Sequence, residues 1–178
     1  MEKRADKIII RKMQQKDTEE VFAMMRVFYD SPAVFHTSSD QILRQDIADC
    51  VSDMPLIDGF VFEDQGQLAG YAMTALNYTT EYGGISVWLE DLYIKPEYRG
   101  RGLSSRFFRH MEQCYPQAVR FKLEVEKENE IAIAAYQKNG YGISPYIEMT
   151  KEIFDDMSIF SPVRDDKALL SAKMRMSE

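Results

Sequence analysis

The stretch that most constrains this chain is residues 85–94, ISVWLEDLYI, followed at once by KPEYRGRGLSSRFFR. A run that is nearly all apolar on both faces reads as a central strand covered on both sides. Pro96 ends it, and a short glycine loop leads straight into a helix. The apolar positions of that helix are Leu103, Phe107, Phe108, Met111 and Cys114, and Pro116 stops it. A junction of this kind is an anion site. Its glycines let backbone approach a phosphate, the first helical N–H groups lack acceptors, and the helix dipole favours negative charge. The charges agree. Lys95, Arg99, Arg101, Arg106 and Arg109 stand against Glu97 alone, so this segment is +4 in a chain of net charge −7. A basic island in an acidic chain points to one compact polyanionic ligand, not to a nucleic-acid surface.

The remaining elements follow from periodicity. Residues 8–11 predict a first strand, and Asp17 predicts the cap of a helix with Val21, Met24, Met25 and Phe28 on one face. Residues 31–39, with Pro32 and a Ser/Thr cluster, read as a loop. Ser39 or Asp40 starts a second helix with the stripe Ile42, Leu43, Ile47 and Cys50. After Pro55 the period becomes two: residues 59–63 and 68–76 predict a hairpin turning at 64–67, and 77–84 predict another turn. Val119, Phe121, Leu123 and Val125 alternate with Arg120, Lys122, Glu124 and Glu126, a half-buried strand. Asn129 stands where a helix begins, with Ala132, Ala135 and Tyr136 on one side and Gly140 as its stop. A last strand pair is expected within residues 141–152. The order β-α-α-β-β-β-α-β-α-β predicts an α/β (α+β) fold, a twisted, mostly antiparallel mixed sheet flanked by helices. One domain is expected over residues 1–153, with a tail, 154–178, of no assigned role.

At 178 residues and 45% hydrophobic, the chain suits one globular domain. No apolar run approaches the roughly 18–20 residues of a membrane span, and MEKRADKIIIRK lacks the pattern of a signal peptide. Cys50 and Cys114 lack metal-ligand spacing and read as two buried thiols. The expectation is therefore a cytoplasmic protein with no metal and with neither nucleic acid nor membrane as partner.

Arg99-Gly100-Arg101-Gly102-Leu103-Ser104 does not suit a nucleotide-triphosphate loop, because the glycine spacing is wrong and no Lys precedes the Ser. As a dinucleotide fingerprint it is a near miss, with Glu124 about twenty residues on. That reading requires the strand to open a βαβ unit, and three antiparallel-type strands precede it here. The segment Arg99-x-x-Gly102-x-Ser104, after a strand and before a helix, resembles instead the acetyl-CoA motif of the GNAT N-acetyltransferases. Ser104 stands where that family usually has Gly or Ala. A second match lies downstream, where Asn129, Ala132 and Tyr136, then Lys138, Gly140 and Tyr141, resemble the family's later motif. LED followed by PEYRGRG is most similar to the diamine and polyamine acetyltransferase branch.

The resemblance implies a site residue by residue. Leu92, Tyr93 and Ile94 would present backbone to the pantetheine arm of acetyl-CoA. Gly100, Arg101, Gly102, Leu103, Ser104 and Ser105 would hold the pyrophosphate, with Arg99 adding charge. Asn129 would orient the pantetheine. Tyr136 would protonate the leaving sulfur, and Glu90 would take the proton of a small-molecule primary amine through water. Strand alternation puts Glu90 and Asp91 on opposite faces, and the LED alignment selects Glu90. Apart from the resemblance, Tyr78, Glu81 and Tyr82 form either a turn suited to a cationic amine or a plain surface hairpin. The implied reaction is direct attack in a ternary complex, and relatives suggest a homodimer. A non-catalytic CoA-binding module and a protein or peptide N-acetyltransferase are the alternative readings.

Overall fold

The computed structural model describes residues 8–34 and 36–151, with the backbone of 161–162. In chain order the elements are β1 (Ile9–Lys12), α1 (Thr18–Tyr29), β2 (His36–Thr37), α2 (Asp40–Cys50), β3 (Ile57–Asp64), β4 (Gln67–Thr79) and β5 (Gly84–Ile94). α3 (Leu103–Cys114), β6 (Ala118–Leu123), α4 (Glu130–Lys138) and β7 (Ser161–Pro162) follow.

The strands form where the period-two pattern lies. β3 and β4 meet at a two-residue turn, where Gln65 and Gly66 both take positive φ (52° and 88°). A mirror-image turn of that kind matches the twist of the flanking strands. A five-stranded sheet results, ordered β1-β3-β4-β5-β6, antiparallel except for the parallel pair β5–β6. β5 is one strand from the edge, and β2 pairs with β7 in a separate two-stranded sheet.

Two apolar clusters flank the sheet. Phe60, Phe62, Val87 and Leu89 pack with Leu103, Phe107, Phe108 and Met111 of α3 on one side. Val61, Leu68, Tyr71 and Met73 pack with Val21, Met24 and Met25 of α1 and Leu43 and Ile47 of α2 on the other. Phe60, Phe62 and Phe107 are fully buried, each stabilising the fold by roughly 1.5–3 kcal/mol. That burial fixes α3, and so the loop before it, against β5.

Ser39 caps α2 through its hydroxyl, which accepts from the Ile42 N–H at 3.3 Å. Asp17 precedes α1 as expected, but its side chain makes no cap to that helix. Its carboxylate accepts from the guanidinium of Arg11 (2.7 and 2.9 Å) and from the Gln14 N–H (2.9 Å). The expected strand pair over 141–152 does not form within 141–151, which is irregular. Residues 142–150 are exposed there, with Ile143, Ile147 and Met149 each about 90% accessible, so no burial stabilises a ladder. Most of the tail 154–178 lies outside the described residues.

Candidate active site

The site begins with a defect in the β4–β5 ladder. Asp91 pairs with Met73 and Leu89 with Thr74, so Glu90 is an extra residue on β5. Such a bulge re-aims side chains. Leu89 and Leu92 both pack on the α3 side. Asp91 accepts hydrogen bonds from Tyr71 (2.9 Å) and from Tyr29 of α1 (3.1 Å) on the other side. Simple alternation would place Glu90 and Asp91 on opposite faces. The bulge instead puts both on the α1/α2 side, where each feels Asp46 of α2.

The second defect is a gap. β5 and β6 pair from Ile85–Ala118 to Leu89–Leu123, and β5 then runs on through residues 90–94 with no strand on that flank among the described residues. An unpaired strand edge presents backbone donors and acceptors to an extended ligand. Leu92 and Ile94 anchor this edge by packing half-buried on the α3 side, and the Tyr93 ring is buried on the α1/α2 side. The Ile94 carbonyl is already taken by Arg99 Nε at 2.9 Å.

The loop beyond it has the geometry that its glycines predict. Gly100 and Gly102 have φ of 74° and 73°, a region costly for other residues. A Cβ at either would meet nothing within 4 Å, so the space before the loop is open. Gly102 is the N-cap of α3 and supplies no side-chain cap. The N–H groups of Leu103, Ser104 and Ser105 therefore begin the helix without intrahelical acceptors. The Leu103 side chain is buried, leaving only its backbone to the loop. Arg101 donates to the Glu97 carbonyl (3.0 Å) and lies 4.9 Å from the Tyr98 ring. Arg99 and Arg101 thus shape the loop as well as charge it.

α4 closes the far side. Asn129 Oδ1 accepts from the Ala132 N–H at 3.2 Å and caps α4, which leaves Nδ2 as the amide's donor. Tyr136 packs against Phe108 and Tyr141 with ring centroids 5.9 and 6.1 Å away, on the α3 side. Burial raises its pKa, so the phenol keeps its proton at neutral pH. Asn139, which the sequence did not single out, donates Nδ2 to Ser105 Oγ (3.0 Å) and to the Ala135 carbonyl (2.7 Å), locking the end of α4 to the start of α3.

Opposite Tyr136 the chemistry is acidic. Desolvation, then Asp46 and Glu148, raise the pKa of Glu90. Asp91 is pushed up to about 7, first by burial and then by Asp46 and Glu90, against the opposing hydrogen bonds of Tyr71 and Tyr29. Glu124 is raised by a hydrogen bond shared with Glu148 and by burial. Only Glu90 of this group was legible beforehand. A mid-strand carboxylate beside it and a tyrosine at the end of α1 were the available signals for Asp91 and Tyr29.

Neither cysteine is poised as a thiolate. Cys50 is buried and its thiol is pushed up to about 12 by desolvation. Cys114 is exposed, contrary to the expected burial, because α3 turns it outward; its Sγ lies 3.4 Å from His110 Nε2 and its pKa is also raised. Among the described residues no three His, Cys, Asp or Glu side chains gather as a metal site, and no helix is long and apolar enough to cross a membrane.

The sequence and the fold are similar to those of known proteins. A thialysine N-epsilon-acetyltransferase from Sus scrofa is 27% identical over 146 residues, covering 75% of this chain and 83% of that protein. A spermine/spermidine N(1)-acetyltransferase from Bacillus subtilis is 26% identical over 123 residues, covering 66% and 78%. These relatives agree with the polyamine-branch resemblance of LED and PEYRGRG. Among solved structures, the aminoglycoside N-acetyltransferase AAC(6')-Iy in complex with CoA superposes with a TM-score of 0.70 at 16% identity, covering 85% of this chain and 99% of that one, a likeness of fold. The sequence pattern of the Acetyltransferase (GNAT) family matches residues 19–141. By that match the chain belongs to the GNAT family and is an N-acetyltransferase of that family.

Proposed function

We propose that the protein moves the acetyl group of acetyl-CoA to a primary amine of a small molecule by direct attack in a ternary complex. The observation that carries this is the gap beyond Leu89–Leu123. An uncapped helix N-terminus and a protonated tyrosine lie on one side of it, and raised carboxylates on the other. The open space before Gly100 and Gly102 and the free edge at 90–94 fit a CoA-type cosubstrate.

Bound there, acetyl-CoA supplies an activated thioester carbonyl. The backbone of Leu92, Tyr93 and Ile94 lines its pantetheine arm, and the N–H groups from Gly100 to Ser105 hold the pyrophosphate, with Arg99 and Arg101 adding charge. Asn129 orients the arm through its free amide donor. An alkylammonium of pKa about 10 must lose a proton before it attacks. Glu90 receives that proton through water, and its raised pKa brings it closer to the working pH. Tyr136 donates to the sulfur that leaves. Neither cysteine takes part.

The names of the relatives, which act on thialysine and on spermine or spermidine, support a small amine as acceptor. The exposed Ile143 and Ile147, which lie by β6 at the edge of the sheet, support a homodimer as the working form. Release of CoA thiol from acetyl-CoA, measured across polyamines, diamino acids, aminoglycosides and short peptides, tests the reading. Turnover on a small amine is expected. Turnover on peptides alone would replace the acceptor class, and CoA binding without turnover on any amine would favour a non-catalytic module.

A further inference from the structure

Residues 118–126 read AVRFKLEVE, with Arg120 and Lys122 on one side of Leu123 and Glu124 and Glu126 on the other. Lys122 and Glu124 line a groove on the Trp88 face of the sheet, while Phe121 and Leu123 pack on the α3 side. One edge of this strand is taken by β5 as far as Leu123. The other edge is open. Residues 141–148 run past it with no backbone hydrogen bond to 118–123 among the described residues. Cavities of about 450 and 490 Å³ separate the two segments on the two faces of the sheet. The charges along this edge are also unmatched. Among the described residues Lys122 forms no ion pair, and its Nζ lies 4.3 Å from the centre of the Trp88 ring. Glu124 shares a hydrogen bond with another acid, Glu148. Arg120 reaches Glu81 only at 3.8 Å, a loose ion pair. An open strand edge is a template for pairing with another chain.

We propose that β6 of a second copy of this chain occupies the edge, antiparallel to the first about a two-fold axis at Leu123. A two-fold contact is self-complementary: if residue i meets residue j, then j meets i. With Leu123 opposite itself, Lys122 faces Glu124 of the second copy and Arg120 faces its Glu126, each contact made twice. Phe121 faces Val125 on the apolar side of the alternation. Opposite charges directly across an antiparallel pair stabilise it, and like charges destabilise it. The pattern also selects the register, because an axis at Lys122 or at Glu124 would set that charge against itself. The inference rests on the homodimer of the reading above and names its interface. It also reaches the site. Glu124 is the first residue beyond the last β5–β6 pair and interacts with Glu90, so Lys122 of the second copy stands at the edge of the gap.

Sedimentation equilibrium of the full chain and its charge-reversed variants tests the interface. The wild type is expected to be a dimer. Lys122→Glu and Glu124→Lys each set like charges against one another at both contacts, and each should weaken the dimer by at least about tenfold. Mixed in equal amounts, the two variants restore opposite charges at both contacts, so they should form a heterodimer of near wild-type affinity. The double variant Lys122→Glu/Glu124→Lys should likewise recover the homodimer, a rescue that a merely misfolded chain would not show. Single variants that dimerise as the wild type does overturn the interface and leave the homodimer standing. So does a pair of monomeric variants that fail to associate on mixing. A monomeric wild type, as expected if residues 141–148 close on their own β6, overturns both. Acetyl transfer stands apart from all of these results.

Discussion

On the α3 side of β5 the site consists of apolar packing and backbone donors. Leu92 and Ile94 seat the strand, Phe107 and Phe108 seat α3, and the helix begins with unpaired N–H groups behind Gly102. On the α1/α2 side, within the width of one strand, it is a set of carboxylates, Asp46, Glu90 and Asp91, with the hydroxyls of Tyr29 and Tyr71. One side suits a polyanion and a departing thiolate, and the other suits a cation that must lose a proton. The bulge at Glu90 makes this division possible, because it sends two successive acidic side chains to the same side while the leucines around them stay on the other.

Changes on the α3 side should act mainly on cosubstrate and leaving group, and changes on the other side on proton removal. The largest effect is expected from Gly102→Val. A β-branched residue at φ 73° distorts the loop, and CoA affinity should fall by about a hundredfold, read by calorimetry. Tyr136→Phe should lower kcat by about a hundredfold with CoA affinity within about twofold of wild type; unaltered turnover would remove Tyr136 from the mechanism. Glu90→Gln should lower kcat/KM by about tenfold and flatten the acidic limb of its pH profile, since that limb reports loss of the base's proton. A profile that keeps its limb in this variant would pass the role of base to Asp91.

The smallest effect concerns stability. Asp46, Glu90, Asp91 and Glu124 all have pKa values raised in the folded protein. Between the ordinary carboxylate value near about 4 and about 7, the native state binds more protons than the unfolded chain, so stability declines as pH rises through that window. Thermal midpoints should drop by a few degrees from pH 5 to pH 8, and Asp91→Asn should reduce the slope. A midpoint that rises with pH would mean that these carboxylates are not held in their protonated forms.

The α3 side was legible in the sequence because its signals are local. The glycines at 100 and 102, the helix that follows them, the cap at Asn129 and the stop at Gly140 each depend on residues a few positions away. The acidic side was not, because its defining contacts join Tyr29, Tyr71 and Asp91 across three elements, and because alternation cannot reveal a one-residue bulge. The motif singled out Glu90, while alternation hid that Asp91 points to the same side. The segment 141–151 misled for a related reason. Its apolar residues resemble a strand, yet beyond Tyr141 the side chains of Ile143, Ile147 and Met149 stay exposed among the described residues.

Titration of the wild-type protein with CoA tests the central claim most directly, because it addresses the gap between β5 and β6 and the uncapped start of α3 before any acceptor is known. Saturable binding at one site per chain, lost in Gly102→Val, is the predicted result. Absence of CoA binding by the folded wild-type protein would contradict the account.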